Sequence, residues 1–411
     1  MNIVIFEDSQ YQNLLPLVYF RPVWELRCGA LTLEQKLKHH LQGDYFYLAR
    51  EYMQKYYLDE KTNSMMIPDD SSALFINGRW LFTETDADTL KGLAAEEALF
   101  WEKTVLAFRT SMSNSKNFVE QGLPDNERIL NSLKSREYRA KVVEYLWDAI
   151  DWNGNQLAAD FELWSKKMEV KGIISDGVHF VEKNNVHVAE TAQLKPGVVV
   201  DASEGPVWIA EKATVMPNAV LEGPIYVGRN SLIKIGAKIY GSTSIGPVCK
   251  VGGEVEGSII QGYSNKQHDG FLGHAYLGSW INIGADTNNS DLKNTYGNID
   301  VLLNGEPKET GKQFLGLMMG DHSKTAINVM FNTGTIVGAC CNVFGAGMPP
   351  KFIPSFSWGG AEKMVEYRLD KIMEVAKLVM HRRKIEFTNK DERLFNEVRE
   401  LAGKVEKVSS R

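Results

Sequence analysis

Cysteine is scarce: the 411 residues hold four, at positions 28, 249, 340 and 341. They form no CxxC pair and no metal-ligand spacing, which argues against a zinc ribbon or a disulfide scaffold and for reduced thiols in a cytoplasmic protein. No apolar run approaches the length of a membrane span, so no membrane partner is expected. Positive charge is not in excess: 46 Lys and Arg stand against 52 Asp and Glu, a formal net charge of −6. A general nucleic-acid binder needs a basic surface, and that class is set aside. The opening MNIVIFEDSQ has no basic n-region and meets an acidic pair at once, so no signal peptide is expected.

What is present is a repeat. Val188, Leu194 and Val200 are aliphatic at a spacing of six; after a shift of three the series resumes at Ile209, Val215, Leu221, Val227, Ile233, Ile239, Ile245 and Val251. Neither the helix period nor the strand period produces this. Two positions before most of these hits sits a small residue, as at Ala192, Ala213, Ala219, Ser231, Ala237, Thr243 and Cys249. Large and small inward residues in alternation suit a triangular solenoid with tight corners. The pattern is the hexapeptide signature of a left-handed parallel β-helix. The phase returns at Phe271, Leu277 and Ile283, and again at Met319, Thr325, Phe331, Val337 and Val343. Counting hexads in threes predicts about six coils. Between the second and third blocks, NSDLKNTYGNIDVLLNGEPKETGKQF breaks the period and is expected to loop out. Cys249 and Cys341 fall on the small inward positions and read as buried filler.

The flanks differ. Residues 1–170 read as an α/β domain, with NIVIF, YFYLA and ALFIN as strands and TLEQKLKHHL and YRAKVVEYLWDAI as helices. The β-helix is expected over 171–350 and a helical segment over 351–411, where TNKD at Thr388 forms a capping box.

The segment NKQHDGFLGHAYLGSWINIGADTNNSD carries two histidines, His268 and His274, among glycines. SNKQHDGFLGH and AYLGSWINIGADT fall without a gap on the acetyltransferase motif of the bifunctional N-acetylglucosamine-1-phosphate uridyltransferase/glucosamine-1-phosphate acetyltransferase (GlmU) family. LLPLVYFRPVWELRCGALTLEQK and PSFSWGG resemble a GlmU-related family of sugar nucleotidyltransferases, over nearly the whole chain. The resemblance implies a homotrimer and an acyl donor such as acetyl-CoA. It places His268 as catalytic base, with Asn282 and Ala285 beside it. It places Lys238, Glu256, Lys266, Phe271 and His274 on the acceptor side, and Ala285, Ile327, Gly345 and Lys293 toward coenzyme A, with Lys312 as a further phosphate candidate. Glu256 reverses the charge of a phosphate-binding lysine, so Lys266 is a candidate to supply that charge. An amine must lose a proton before it attacks, and a histidine with a pKa near ~6.5 can take it.

The N-terminal half departs from the family. The first strand runs into EDSQYQNLLPLVYFRP with no glycine before Gly29, where nucleotidyltransferases wrap phosphates in bare backbone. Arg21 sits near the place of the Pro-flanked lysine, and FINGRW puts Arg79 where a magnesium carboxylate belongs. The domain therefore reads as a truncated, degenerate nucleotidyltransferase, with Mg2+ required only if it is active. The expected function is acyl-CoA-dependent N-acyl transfer to an amino sugar, its phosphate or its nucleotide derivative. The alternatives are sugar-1-phosphate nucleotidyl transfer and a non-catalytic trimeric scaffold.

Overall fold

The computed structural model describes residues 1–58, 71–120, 123–164 and 169–407. The N-terminal part is a six-stranded mixed sheet built from β1 (Asn2–Phe6), β2 (Asp44–Leu48), β3 (Ser72–Asn77), β4 (Glu97–Trp101), β5 (Thr104–Ser111) and β6 (Lys134–Glu137), in the order β2-β1-β3-β5-β4-β6. The apolar runs that predicted β1, β2 and β3 supply the three neighbouring parallel strands. Thr32 and Gln35 close a capping box on α1 (Leu33–His40). The second predicted helix starts late: α2 is Leu146–Trp164, and residues 138–145 run outside it. Asp148 explains the start, because its carboxylate takes the Glu144 and Tyr145 N–H groups at 2.9 and 2.8 Å.

From Ile173 the chain winds as a parallel β-helix with three faces. In chain order the first begins with Ile173–Ile174, the second with His179–Val181 and the third with Val186–Val188. The third face carries nine strands, the last being Phe352–Ile353, so the solenoid is longer than the hexad count implies. Buried residues mark the reason: Val251, Val255, Ile260, Lys266, Leu272 and Leu277 are spaced by four to six, not by six throughout. Corners at Gly253 (φ 70°) and Gly257 (φ 54°) are shortened and take the left-handed backbone that glycine adopts freely. Elsewhere the inward series stands as read, with Leu194, Val215, Leu221 and Ile245 fully buried over Ala192, Ala213 and Ala219. One correction concerns Phe271. Leu272 fills the interior, and Phe271 points outward and is half-buried. The four cysteines are all buried, and burial pushes the Cys249 and Cys341 thiols up to about 12.

The insertion leaves the solenoid as an antiparallel hairpin, Ile299–Leu303 against Glu306–Lys312. Past the last coils, Ser357–Gly359 pairs with Met364–Glu366, so the predicted helix there begins only at Leu369. Helices α3 (Leu369–His381) and α4 (Asn389–Val405) follow, α4 with the predicted Thr388–Asp391 capping box. The third face packs on the N-terminal domain. Ser244 Oγ donates to the Gly29 carbonyl at 2.8 Å, Gln261 Nε2 to Glu25 at 2.6 Å, and Tyr276 OH to Arg27 at 2.9 Å. Tyr276, Met318 and Ile336 share one hydrophobic core with Trp24, Leu26 and Phe395. The chain thus covers its own third face, and the corner between the first two faces lies away from that contact.

Candidate functional site

That corner carries His268, Ala285, Ile327 and Gly345 on successive coils. The Asp286 N–H donates to the Asp269 carbonyl at 3.0 Å, and the Asn328 N–H to the Ala285 carbonyl at 2.8 Å, which fixes the stacking. The His268 side chain is exposed in a bend. Its backbone is held from inside: Lys266 Nζ donates to the carbonyls of Gly252 (2.9 Å), His268 (2.7 Å) and Gly270 (2.6 Å). Lys266 is 2% exposed and occupies an inward slot of the solenoid. It therefore ties the loop and does not offer its charge to a phosphate, which corrects its expected role. Burial lowers its ammonium to about 8. The Ala285 N–H has no acceptor among the described residues. Ile327 is 65% exposed.

Asn282 lies on the first face between Asn265 and Lys324. Its Oδ1 accepts from Asn265 Nδ2 at 3.4 Å, and Asn265 Oδ1 accepts from Arg383 at 2.9 Å.

His274 occupies the next corner, between the second and third faces, with φ 43°. Its Nδ1 is 2.8 Å from Asp291 Oδ2, and the ring lies 5.2 Å from that of Phe314 in the insertion. Two bare glycines make this arrangement possible. A Cβ on Gly257 would stand 3.1 Å from His274 Nε2, and one on Gly273 would stand 2.3 Å from Asp291 Oδ2. Sequence reading missed Asp291, although it falls 17 residues after His274, about one coil.

The remaining expected residues are dispersed. Lys238 pairs with Glu254 at 3.0 Å on the exposed second face, next to the strand that ends in Glu256. Phe271 follows on the next strand of that face. Lys293 bonds the Asn298 carbonyl and lies 3.5 Å from Asp300, while Lys312 reaches Asp151 of α2. These two lysines are occupied within the chain.

Residues 3–169 match the family model described as "Sugar nucleotidyl transferase". The chain is 28% identical to the "Bifunctional sugar-1-phosphate nucleotidylyltransferase/acetyltransferase" of Sulfurisphaera tokodaii, over 52% of this chain and 49% of that one. It is 24% identical to the "Bifunctional protein GlmU" of Synechococcus elongatus, over 48% and 44%. The chain is similar to GlmU-type bifunctional proteins over about half its length. It spans about half the length of these curated relatives. The solved UDP-N-acetylglucosamine acyltransferase of Francisella novicida aligns over 59% of this chain and 96% of its own at 13% identity, with a TM-score of 0.29, too low to bear on function.

In this chain the segment after β1 is filled by internal ion pairs. Asp8 accepts from Arg79 Nε at 3.0 Å and Nη2 at 2.7 Å, and from Asn77 Nδ2 at 2.9 Å. Burial alone would raise the Asp8 carboxyl, but the Arg79 guanidinium outweighs it and holds the group below its ordinary value. Glu7 is likewise taken by Arg50. Arg21 leaves the domain altogether: Nη2 lies 2.5 Å from Asp321 Oδ2 and 2.9 Å from Ser279 Oγ, both on the β-helix. A magnesium ion needs uncommitted carboxylates. Among the described residues no group of three or more His, Cys, Asp or Glu is placed to hold a metal ion. Asp8 and Glu7, the two carboxylates that follow β1, are both committed to guanidinium partners.

Proposed function

We propose that the β-helix transfers an acyl group, acetyl in the simplest case, from acyl-CoA to the amine of an amino sugar, its phosphate or its nucleotide derivative. The observation that carries this reading is the corner: His268 stands one coil from Ala285, whose N–H meets no acceptor among the described residues, and the same corner continues through Ile327 and Gly345. His268 takes a proton from the acceptor ammonium, and the freed amine attacks the thioester carbonyl. The oxyanion that forms accepts from the Ala285 N–H, and the Asn282 amide lies on the adjoining face. As the C–S bond breaks, the thiolate leaves and is protonated by the imidazolium, and the nitrogen of the new amide releases its remaining extra proton to solvent. The His274–Asp291 pair, on the opposite corner of the second face, holds a hydroxyl of the acceptor. The exposed Ile327, Met330 and Met348 suit burial against a second copy, which supports the homotrimer with a shared site that this reading calls for.

A second reading, sugar-1-phosphate nucleotidyl transfer, is favoured by the family match over residues 3–169. The Arg79–Asp8 pair weighs against it. Calorimetric titration with acetyl-CoA, followed by thiol release with a panel of amino sugars, tests the first reading; absence of acetyl-CoA binding would remove it.

A further inference from the structure

A group of cations on the first face has no place in the chemistry above. Lys250 lies on the strand Lys250–Val251, paired in register with Asn265. Lys234 follows the strand before it, and its N–H donates to the Val251 carbonyl at 2.8 Å. Arg382 and Arg383 close the C-terminal end of α3, and Arg383 Nη2 is anchored on Asn265 Oδ1 at 2.9 Å. Asn265 is the register partner of Lys250 on the neighbouring strand, so that anchor places the guanidinium over the same face as Lys250.

None of the four has a carboxylate partner among the described residues, whereas Lys238, Lys293 and Lys312 each do. Burial, then Arg383, Arg382 and Lys234, lower the Lys250 ammonium below its ordinary value. A chain with net charge −6 has carboxylates enough to neutralise such a group and places none here. Like charges converging without a counterion repel, and an anion relieves that repulsion.

The location gives the anion a source. Lys234 stacks against Gly252 in the corner that His268 and Ala285 continue. The cations lie before His268 along this corner, and Ile327 and Gly345 lie after it. The residues first expected to hold an acceptor phosphate do not supply free charge: Lys238 is paired and Lys266 is internal.

We propose that Lys234, Lys250, Arg382 and Arg383 form a binding site for a phosphoryl group of the acceptor. The identity of the acceptor rests on the acyl-transfer reading; the anion site itself does not. The test is calorimetry on the full chain, with inorganic pyrophosphate as one probe and adenosine 3′,5′-bisphosphate, the phosphorylated end of coenzyme A, as the other. Pyrophosphate binds the wild type, and Lys250→Gln with Arg383→Gln weakens it by about 10-fold or more, the loss of at least one charge-assisted contact. Bisphosphate binding is unchanged. Lys234→Gln with Arg382→Gln, both away from the Asn265 anchor, gives the same loss and serves if the first pair lowers the melting temperature. Wild-type protein that ignores pyrophosphate, or a double variant that binds it equally well, overturns the site. Selective loss of bisphosphate binding overturns the assignment to the acceptor. Pyrophosphate binding without any thiol release keeps the site and removes the acyl-transfer reading.

Discussion

His274 Nδ1 lies 2.8 Å from Asp291 Oδ2, and among the described residues His268, six residues earlier, has no such partner. The two imidazoles thus sit in different hydrogen-bond settings. An imidazole fixed by a carboxylate presents Nε2 in a defined orientation, which suits holding a hydroxyl. Asp291→Asn and His274→Ala are expected to raise the acceptor KM by roughly 10-fold, one charge-assisted hydrogen bond, with kcat changed less. Initial rates across acceptor concentration separate the two. A loss confined to kcat contradicts the assignment.

Lys266 gives a pH test. Its folded value of about 8 lies below the ordinary lysine value of 10.5. Between these values the unfolded chain holds more protons than the native one, so this group makes the protein more stable as pH rises. Lys266→Met removes three donations to carbonyls and is expected to cost about 2–4 kcal/mol near neutral pH. Its deficit against wild type is expected to widen between pH 8 and 10, as the wild type gains. Urea unfolding of both proteins at pH 7 and pH 9.5 measures this. A deficit that closes with pH contradicts the buried ammonium.

The Arg21–Asp321 pair joins the N-terminal domain to the solenoid, with both side chains buried. Asp321→Ala strands the guanidinium, an expected loss of about 3–5 kcal/mol. Replacing both, Arg21→Met with Asp321→Leu, is expected to recover most of it. A single variant that loses less than about 1 kcal/mol in urea would mark the pair as solvated.

The solenoid was legible because its inward positions repeat along the chain, and Leu194 to Val251 lie where the hexads put them. Coil number was not legible, because corners such as Gly253 and Gly257 drop residues and break the count without ending the fold. Lys266 was misread for a related reason: a search for aliphatic residues passes over a lysine in an inward slot. The site could be read only along one coil. Asp291, Arg383 and Asn265 reach their partners through stacking or from a distant helix, and no local spacing encodes that. The late start of α2 turned on Asp148 taking two backbone N–H groups, a tertiary detail that propensity does not weigh.

For the N-terminal domain, the expected outcome is no magnesium-dependent release of pyrophosphate by the full chain with any common sugar 1-phosphate and nucleoside triphosphate. Arg79 occupies Asp8, and Arg50 occupies Glu7. A coupled pyrophosphate assay measures it, and sustained turnover would show that these pairs open.

The most direct test of the acyl-transfer account is the rate of thiol release from acetyl-CoA in His268→Ala, His274→Ala and Asn282→Ala, measured side by side with the same amino-sugar acceptor. The account predicts that His268→Ala lowers kcat by roughly 10²–10⁴, the range of a general base, while acetyl-CoA binding stays within about 2-fold of wild type. Asn282→Ala falls between the two histidine variants. A His268→Ala protein near wild-type rate, beside a crippled His274→Ala protein, would contradict it and move the base to the carboxylate-held imidazole.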